Sequence, residues 1–187
     1  MYTGMALAAF VVIAVSVVQG GASTPTYPFR ALGSKIIDAQ GTDIQFRCVN
    51  WAGHMEGNVP EGLGSASLEN IVATLASEPT WNCVRLTYAV ELFDKADLTL
   101  TQSFTSGNNN ASTDLSPLLV NVTHYNPTLV DIKLTGVFEA VVEELEKAGL
   151  FVLMSNHVSK ASWCCGDDDG NGWFGDEWFD VQSWTDR

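Results

Sequence analysis

The feature of this chain that most restricts its fold is an alternation of short apolar segments with segments of helical periodicity. Residues 46–51, 83–87 and 150–155 read as strands, while residues 68–75 and 130–148 place apolar side chains at helical spacing. Apolar strands of this kind are typical of a parallel sheet that is covered on both faces. The order strand, helix, strand, helix, strand therefore predicts an α/β fold with a parallel sheet.

Local signals place the ends of these elements. Ser67 is predicted to cap the first helix, and Gly149 to end the second. Gly41 lies between two apolar runs and predicts a β-hairpin, whose second arm, residues 44–50, continues into the first strand of the sheet. The long polar stretch 88–126 is predicted to be a functional or disordered loop.

Polar and aromatic side chains follow each of the three strands, at residues 50–54, 85–88 and 156–157. The carboxyl ends of parallel strands meet at one edge of the sheet, which is where α/β proteins build their sites. The sequence therefore predicts a ligand site at this edge.

The first 22 residues are predicted to be a signal peptide. Residues 5–18 form an apolar run that is too short for a membrane-spanning helix, which needs ~20 residues, and small residues favour cleavage near Ala22. Asn110 and Asn121 begin glycosylation acceptor triplets. We therefore expect a secreted, extracellular glycoprotein with no membrane anchor after cleavage.

Cysteine content and charge narrow the class of protein further. Cys48, Cys83, Cys164 and Cys165 predict disulfides in an exported chain, with three pairings open. The two adjacent cysteines are expected to have different partners, because a bond between neighbours strains the peptide. The formal net charge of -13 disfavours nucleic acid and anionic membranes as partners, and leaves neutral polysaccharide open.

The three strand ends match a known pattern. Residues 49–53, 81–86 and 151–157, followed by residues 171–174, resemble glycoside hydrolase family 5, the cellulase-like family of retaining (β/α)8-barrel enzymes, in its fungal type. The resemblance covers residues 35–184. It implies that residues 23–187 form an incomplete catalytic domain: about three βα units from the N-terminal part of a (β/α)8 TIM barrel, preceded by a β-hairpin. Because this arrangement places Cys48 and Cys83 on neighbouring strands, we hypothesise a disulfide between them.

The resemblance implies a substrate-binding site. Arg85 and His157 match residues of the family's active site, where a guanidinium can keep a catalytic carboxylate ionised and an imidazole can bind a sugar. Tryptophans can stack on a pyranose ring, and polar side chains can bind hydroxyls. The alternatives are a structural ion pair, a satisfied loop histidine and tryptophans packed in the core. The predicted site consists of Asn50, Trp51, His54, Arg85, His157, Asn171 and Trp173.

No catalytic residue is assigned. Retaining cleavage needs two carboxyl groups ~5–5.5 Å apart. The family places its two glutamates after strands four and seven, whereas this sequence reaches only past strand three. The chain alone is therefore expected to be inactive. No cofactor is expected. Asp167, Asp169 and Asn171 match half of a calcium loop, but Trp178 stands where the bidentate glutamate belongs, so a solvated acidic loop is favoured and no metal is assigned.

Three functions remain open from the sequence. The first is a retaining endo-glycosidase for β-linked polysaccharide such as glucan or mannan. The second is a secreted, non-catalytic derivative that binds carbohydrate or a host protein, and the third is a disulfide-stapled structural protein. The first is preferred, with oligosaccharide or polysaccharide as partner and a monomer as the expected state.

Overall fold

The computed structural model describes residues 25–105, 114–164, 166, 168–172, 175–178 and 181–185. Residues divide into two compact units, Met1–Ile44 and Gln45–Arg187, which are described separately. The predicted signal peptide, the Asn110 acceptor and Trp173 lie outside the described residues, as do Cys165 and Asp167.

The first unit contains a small antiparallel sheet. Its strands are β1 (Arg30–Leu32), β2 (Lys35–Ile37) and β3 (Asp43–Ile44), paired in that order. Gly41 has a φ of 84°, which glycine adopts readily, and the Asp38 carboxylate accepts hydrogen bonds from the backbone N–H groups of Gln40 and Thr42 at 2.9 and 2.8 Å. The structure therefore contains the predicted hairpin, together with the additional strand β1.

The predicted continuation of the hairpin into the main sheet is wrong. The antiparallel arm ends at Ile44, and the next strand begins only at Cys48. Between them, the Asn82 side chain accepts from the Arg47 N–H at 2.9 Å and donates to the Gln45 carbonyl at 3.0 Å. These bonds hold residues 45–47 beside Asn82, which lies directly before the strand that begins at Cys83. The chain therefore leaves the antiparallel sheet at this point and pairs next with that strand.

The second unit is built on a three-stranded parallel sheet, as predicted. The strands are β4 (Cys48–Trp51), β5 (Cys83–Ala89) and β6 (Phe151–Val158), in the order β4-β5-β6. Cys48 and Cys83 are register partners and form a disulfide, which confirms the hypothesis about this pair. Cys164 is also disulfide-bonded. The prediction that Cys164 and Cys165 have different partners involves Cys165, which lies outside the described residues.

The helices of this unit are α1 (Leu68–Ser77), α2 (Glu91–Asp94), α3 (Leu100–Thr105), α4 (Ser116–Tyr125), α5 (Leu134–Lys147) and α6 (Val181–Thr185). The first five contribute buried side chains to the core on one face of the sheet. Buried apolar side chains from β4, β5, α1, α3, α4 and α5 form one cluster, which includes Trp51, Val72, Leu86, Leu100, Phe104, Val122, Val141 and Leu145. In the described part of the chain, no helix combines the length and apolar character that crossing a bilayer requires.

The two long helices follow the sequence prediction closely. The Ser67 hydroxyl accepts from the Asn70 N–H at 3.3 Å and caps α1, and Gly149, with a φ of 78°, follows the end of α5. The helix α5 begins later than predicted, at Leu134. The carbonyls of Val130 and Ile132 instead accept backbone bonds from Thr101 and Leu100.

The prediction that residues 88–126 form a loop is wrong for the described part of that stretch. It contains α2, α3 and α4, and residues 106–113, between α3 and α4, are not described. A few apolar side chains, such as Leu100, Phe104 and Val122, anchor these helices in the core. Their polar surroundings in the sequence hid this pattern. Asn121 lies exposed on α4, and its glycosylation stays a prediction.

Candidate active site at the carboxyl ends of the strands

Strand register decides which predicted residues share a face of the sheet. Asn50, Arg85 and Leu153 are register partners on β4, β5 and β6. Side chains alternate between faces, so Thr87 follows Arg85 on the same face. Trp51 pairs with Leu86 and points to the other face, among the helices. It is 8% exposed, and its indole N–H donates to the Glu61 carbonyl at 2.8 Å.

Arg85 is held by strand β6. Its Nε and Nη2 donate to the Ser155 hydroxyl at 3.1 and 2.9 Å, and Nη2 lies 3.4 Å from Nδ1 of His157. A guanidinium can only donate, so Nδ1 of His157 is the acceptor and the imidazole proton lies on Nε2. That nitrogen is 3.1 Å from Sγ of Cys164. The guanidinium is thus fixed in direction by two partners on the neighbouring strand.

His54 completes the cluster from the loop after β4. Its ring is buried, its centroid is 4.3 Å from that of His157, and its Nδ1 is 2.7 Å from the Thr87 hydroxyl. Burial lowers the pKa of His54 to about 4, with smaller contributions from His157 and Arg85. Burial and then Arg85 also lower the pKa of His157. Both imidazoles are therefore neutral at pH 7, and Arg85 supplies the positive charge of the cluster.

The lowered pKa of His54 predicts that the fold loses stability in weak acid. The unfolded chain binds a proton near pH 6.5, whereas folded His54 binds one only near pH 4, so stability is complete above pH 6.5 and falls between these values. We expect His54 to contribute a loss of about 1–2 kcal/mol by pH 4.5. The measurement is urea unfolding at pH 7 and pH 4.5, compared with His54→Gln. An equal loss in both proteins would contradict this account.

A metal ion does not fit this cluster. Ring nitrogens of His54 and His157 and Sγ of Cys164 lie within 4.8 Å of one another, a spacing that a metal could bridge. However, the sulfur of Cys164 belongs to a disulfide and is not a thiolate, which is the form that binds metals. The Arg85 guanidinium against His157 would also repel a cation. The arrangement therefore favours hydrogen bonding to a neutral or anionic group.

The other predicted residues lie in different surroundings. Asn50 is exposed on β4, in register with Arg85. The Asn171 amide accepts from the Ser159 and Lys160 N–H groups at 2.9 and 2.8 Å, and donates to the Lys160 carbonyl and the Ser162 hydroxyl at 2.8 and 3.0 Å. These four bonds use its hydrogen-bonding groups to hold the loop that follows β6.

The acidic segment beside Asn171 is bonded to its own backbone. The Asp169 carboxylate accepts from the N–H groups of Gly166 and Asn171 at 2.8 and 3.0 Å. This self-contained turn accounts for Asp169 without an ion.

Sequence reasoning missed three residues that shape the site. Thr87 and Ser155 lie two positions from Arg85 and His157, respectively, so strand alternation alone places them on the same face. Gly53 lies so close to β5 that a Cβ there would be 2.5 Å from the Thr87 carbonyl and 2.9 Å from the Phe138 ring. The alternation was a usable signal for the first two, whereas the close approach at Gly53 depends on the tertiary structure.

Solved structures with the same fold are cellulases. The endocellulase of Pyrococcus horikoshii in complex with cellotetraose aligns with a TM-score of 0.54 at 20% identity, covering 75% of this chain and 34% of that chain. The catalytic domain of the major endoglucanase of Xanthomonas campestris aligns with a TM-score of 0.53 at 20% identity, covering 70% and 32%. The fold is therefore part of a TIM barrel and contains no closed barrel among the described residues.

Two sequence relatives are named as glycoside-cleaving proteins, and one of them carries a family name. A glycosyl hydrolase 5 family protein of Chamaecyparis obtusa is 36% identical over 168 residues, which are 88% of this chain and 29% of the relative. An endoglucanase of Paenibacillus polymyxa is 25% identical over 130 residues, covering 69% and 28%. No protein-family model matches the chain.

Fold and sequence together define the class as that of barrel-type glycoside hydrolases. Within this class, the resemblance of the strand ends to glycoside hydrolase family 5 is confirmed. The chain spans less than a third of the length of these two relatives.

Proposed function

We propose that this chain forms the first strands of a secreted, retaining, endo-acting hydrolase of β-linked polysaccharide, with glucan preferred and mannan as the second candidate. The observation that carries the proposal is the cluster of Arg85, His157 and His54 at the carboxyl ends of three parallel strands. A relative named as an endoglucanase and a fold neighbour in complex with cellotetraose support a β-glucan substrate.

The cluster suits one half of a two-carboxylate mechanism. A fixed guanidinium stabilises an ionised carboxylate beside it, as the nucleophile of a retaining enzyme requires. Neutral imidazoles can exchange hydrogen bonds with sugar hydroxyls without adding charge. We propose that both catalytic carboxylates come from chain beyond these strands. The 187-residue chain then binds oligosaccharide without cleaving it.

The open edge of the sheet is consistent with this arrangement. The strand β6 pairs with β5, and within the described residues its other edge has no partner strand. Leu153 and Met154, on opposite faces of β6, are both exposed. A further βα unit of a barrel would cover both side chains and pair with the free edge.

Binding and turnover measured on the same protein test the proposal. We expect the purified 187-residue chain to bind cellotetraose in calorimetry and to release no reducing sugar from it. Mannotetraose distinguishes the two substrate candidates. Hydrolysis by the 187-residue chain would contradict the assignment of the carboxylates, and absence of binding would contradict the site.

Secretion is a separate part of the proposal. The apolar run 5–18 and the small residues up to Ala22 support cleavage of a signal peptide. N-terminal sequencing of protein collected from the medium of expressing cells is expected to begin near Ser23. Size-exclusion chromatography of the same sample is expected to show a monomer. Retention of the intact N-terminus in the cell pellet would contradict secretion.

A further inference from the structure

We propose that Thr87 is a positioning residue that fixes the proton of His54 on Nδ1, so that Nε2 of His54 is a hydrogen-bond acceptor in the site. The inference deepens the proposed function, because it assigns the chemical group that His54 recognises: a hydroxyl that donates. Thr87 itself contacts no substrate in this account. It acts through His54 and through the backbone of the loop after β4.

Three groups surround the Thr87 hydroxyl, and all of them come from the end of β4 and the loop that follows it. Nδ1 of His54 lies at 2.7 Å, the N–H of Gly53 at 3.1 Å, and the carbonyl of Trp51 at 3.3 Å. Thr87 is itself buried, at 3% exposure. An unmade hydrogen bond of a buried polar group costs free energy. Each donor and acceptor around the Thr87 hydroxyl is therefore expected to be paired.

Counting donors and acceptors identifies the tautomer. A hydroxyl donates one hydrogen bond and accepts two. The Gly53 N–H can only donate, and the Trp51 carbonyl can only accept. All three contacts are satisfied together when the Thr87 hydroxyl donates to Trp51 and accepts from both Gly53 and Nδ1–H of His54. The opposite tautomer makes the hydroxyl donate to His54 and leaves the Trp51 carbonyl without this bond.

Close packing fixes the position of the loop after β4. A Cβ at Gly53 would lie 2.5 Å from the Thr87 carbonyl, so the backbone of the loop lies directly against β5. His54 follows Gly53 directly, so the fixed backbone of Gly53 also fixes the position of His54. The imidazole cannot move away from Thr87 without breaking the contact of this backbone with the strand.

The neighbouring imidazole has the complementary arrangement. Nδ1 of His157 accepts from Arg85, so the His157 proton lies on Nε2. The two rings, with centroids 4.3 Å apart, therefore carry their protons on different nitrogens. The His157 proton is directed at Sγ of Cys164, 3.1 Å away, whereas Nε2 of His54 is an acceptor. A sugar hydroxyl that donates a hydrogen bond therefore suits His54.

Histidine side-chain NMR of the full chain tests the inference directly. In uniformly 15N-labelled protein at pH 7, one-bond coupling identifies the protonated ring nitrogen of each histidine. We expect the proton of His54 on Nδ1 and that of His157 on Nε2. A His54 proton on Nε2 in the unsubstituted protein would overturn the inference without any variant.

Two substitutions separate positioning from simple packing. Thr87→Val keeps the shape and removes the hydroxyl, and Thr87→Ser keeps the hydroxyl. We expect Thr87→Val to mix the two His54 tautomers and to weaken cellotetraose binding about fivefold, the equivalent of one hydrogen bond. Thr87→Ser is expected to keep the Nδ1–H tautomer and bind within about twofold of the unsubstituted chain, as suits a change that retains the bond.

The outcomes distinguish this inference from the proposed function. An unchanged His54 tautomer in folded Thr87→Val would overturn the role of Thr87. The expected tautomers in a protein that binds no oligosaccharide would support the role of Thr87 and contradict the proposed function. Should Thr87→Val fail to fold, the tautomer of the unsubstituted protein and of Thr87→Ser still decides the matter.

Discussion

Replacing Cys48 and Cys83 together by alanine is expected to lower the free energy of unfolding by about 4 kcal/mol, the value for a disulfide that closes a loop of this length. The two residues are register partners on adjacent parallel strands and are separated by 35 positions, and the chain between them contains α1. Without the disulfide, the unfolded chain gains conformational entropy over the whole segment between the two cysteines.

Urea unfolding under non-reducing conditions measures this effect. The matched control is Val120→Ala, a change at a side chain that is 70% exposed on α4 and is expected to alter stability by less than about 0.5 kcal/mol. A loss below 1 kcal/mol for the double cysteine variant would show that the disulfide does not hold β4 to β5.

Replacing Arg85 by methionine is expected to weaken cellotetraose binding about 30- to 100-fold. Ser155 and His157 hold the guanidinium in direction, and one hydrogen bond from this charged group to a sugar oxygen would contribute about 1.5–3 kcal/mol to binding. Its removal takes away the positive charge of the cluster and releases the His157 ring. Arg85→Lys is expected to recover part of the affinity, because lysine keeps the charge and lacks the fork.

A second arginine provides the control for this experiment. Arg47 donates from Nε to the Thr80 carbonyl at 2.7 Å in the segment before β4, at the opposite end of that strand from the site. Arg47→Met is therefore expected to leave affinity unchanged. Equal affinity of folded Arg85→Met and the unsubstituted chain would remove Arg85 from the binding site.

The parallel sheet was predictable because its strands are largely apolar. Cys83–Ala89 carries buried side chains at five of seven positions, and a strand of this kind has few other places to lie. The helix α5 was predictable for a similar reason, since one stripe of its surface is apolar and Gly149 marks its end. Strong periodicity survives the tertiary context.

The errors have equally specific causes. The hairpin and β4 were merged because residues 44–51 contain no turn signal, and the break is made by the Asn82 side chain from a distant part of the sequence. The helices α2, α3 and α4 are short, and packing against the core stabilises them more than their own periodicity does. Neither cause can be read from the local sequence.

In the site, too, some features could be predicted from the sequence and others could not. Arg85 and His157 could be chosen because the sequence around them resembles the family's active-site segments, and the structure brings Nη2 of Arg85 to 3.4 Å from Nδ1 of His157. Trp51 was grouped with them because it also ends a strand, yet the register places it on the helix-covered face. Residues one position apart on a strand point in opposite directions, so a one-residue difference in register decides between binding site and core.

The central claim is that three parallel strands bring Arg85, His54 and His157 together as an oligosaccharide-binding site. Its most direct test is a titration of the isotope-labelled chain with cellotetraose, followed through the ring signals of its three histidines. We predict that His54 and His157 shift together with one dissociation constant, while His124, near the end of α4, does not respond. Binding of cellotetraose with the His54 and His157 signals unchanged would contradict the claim.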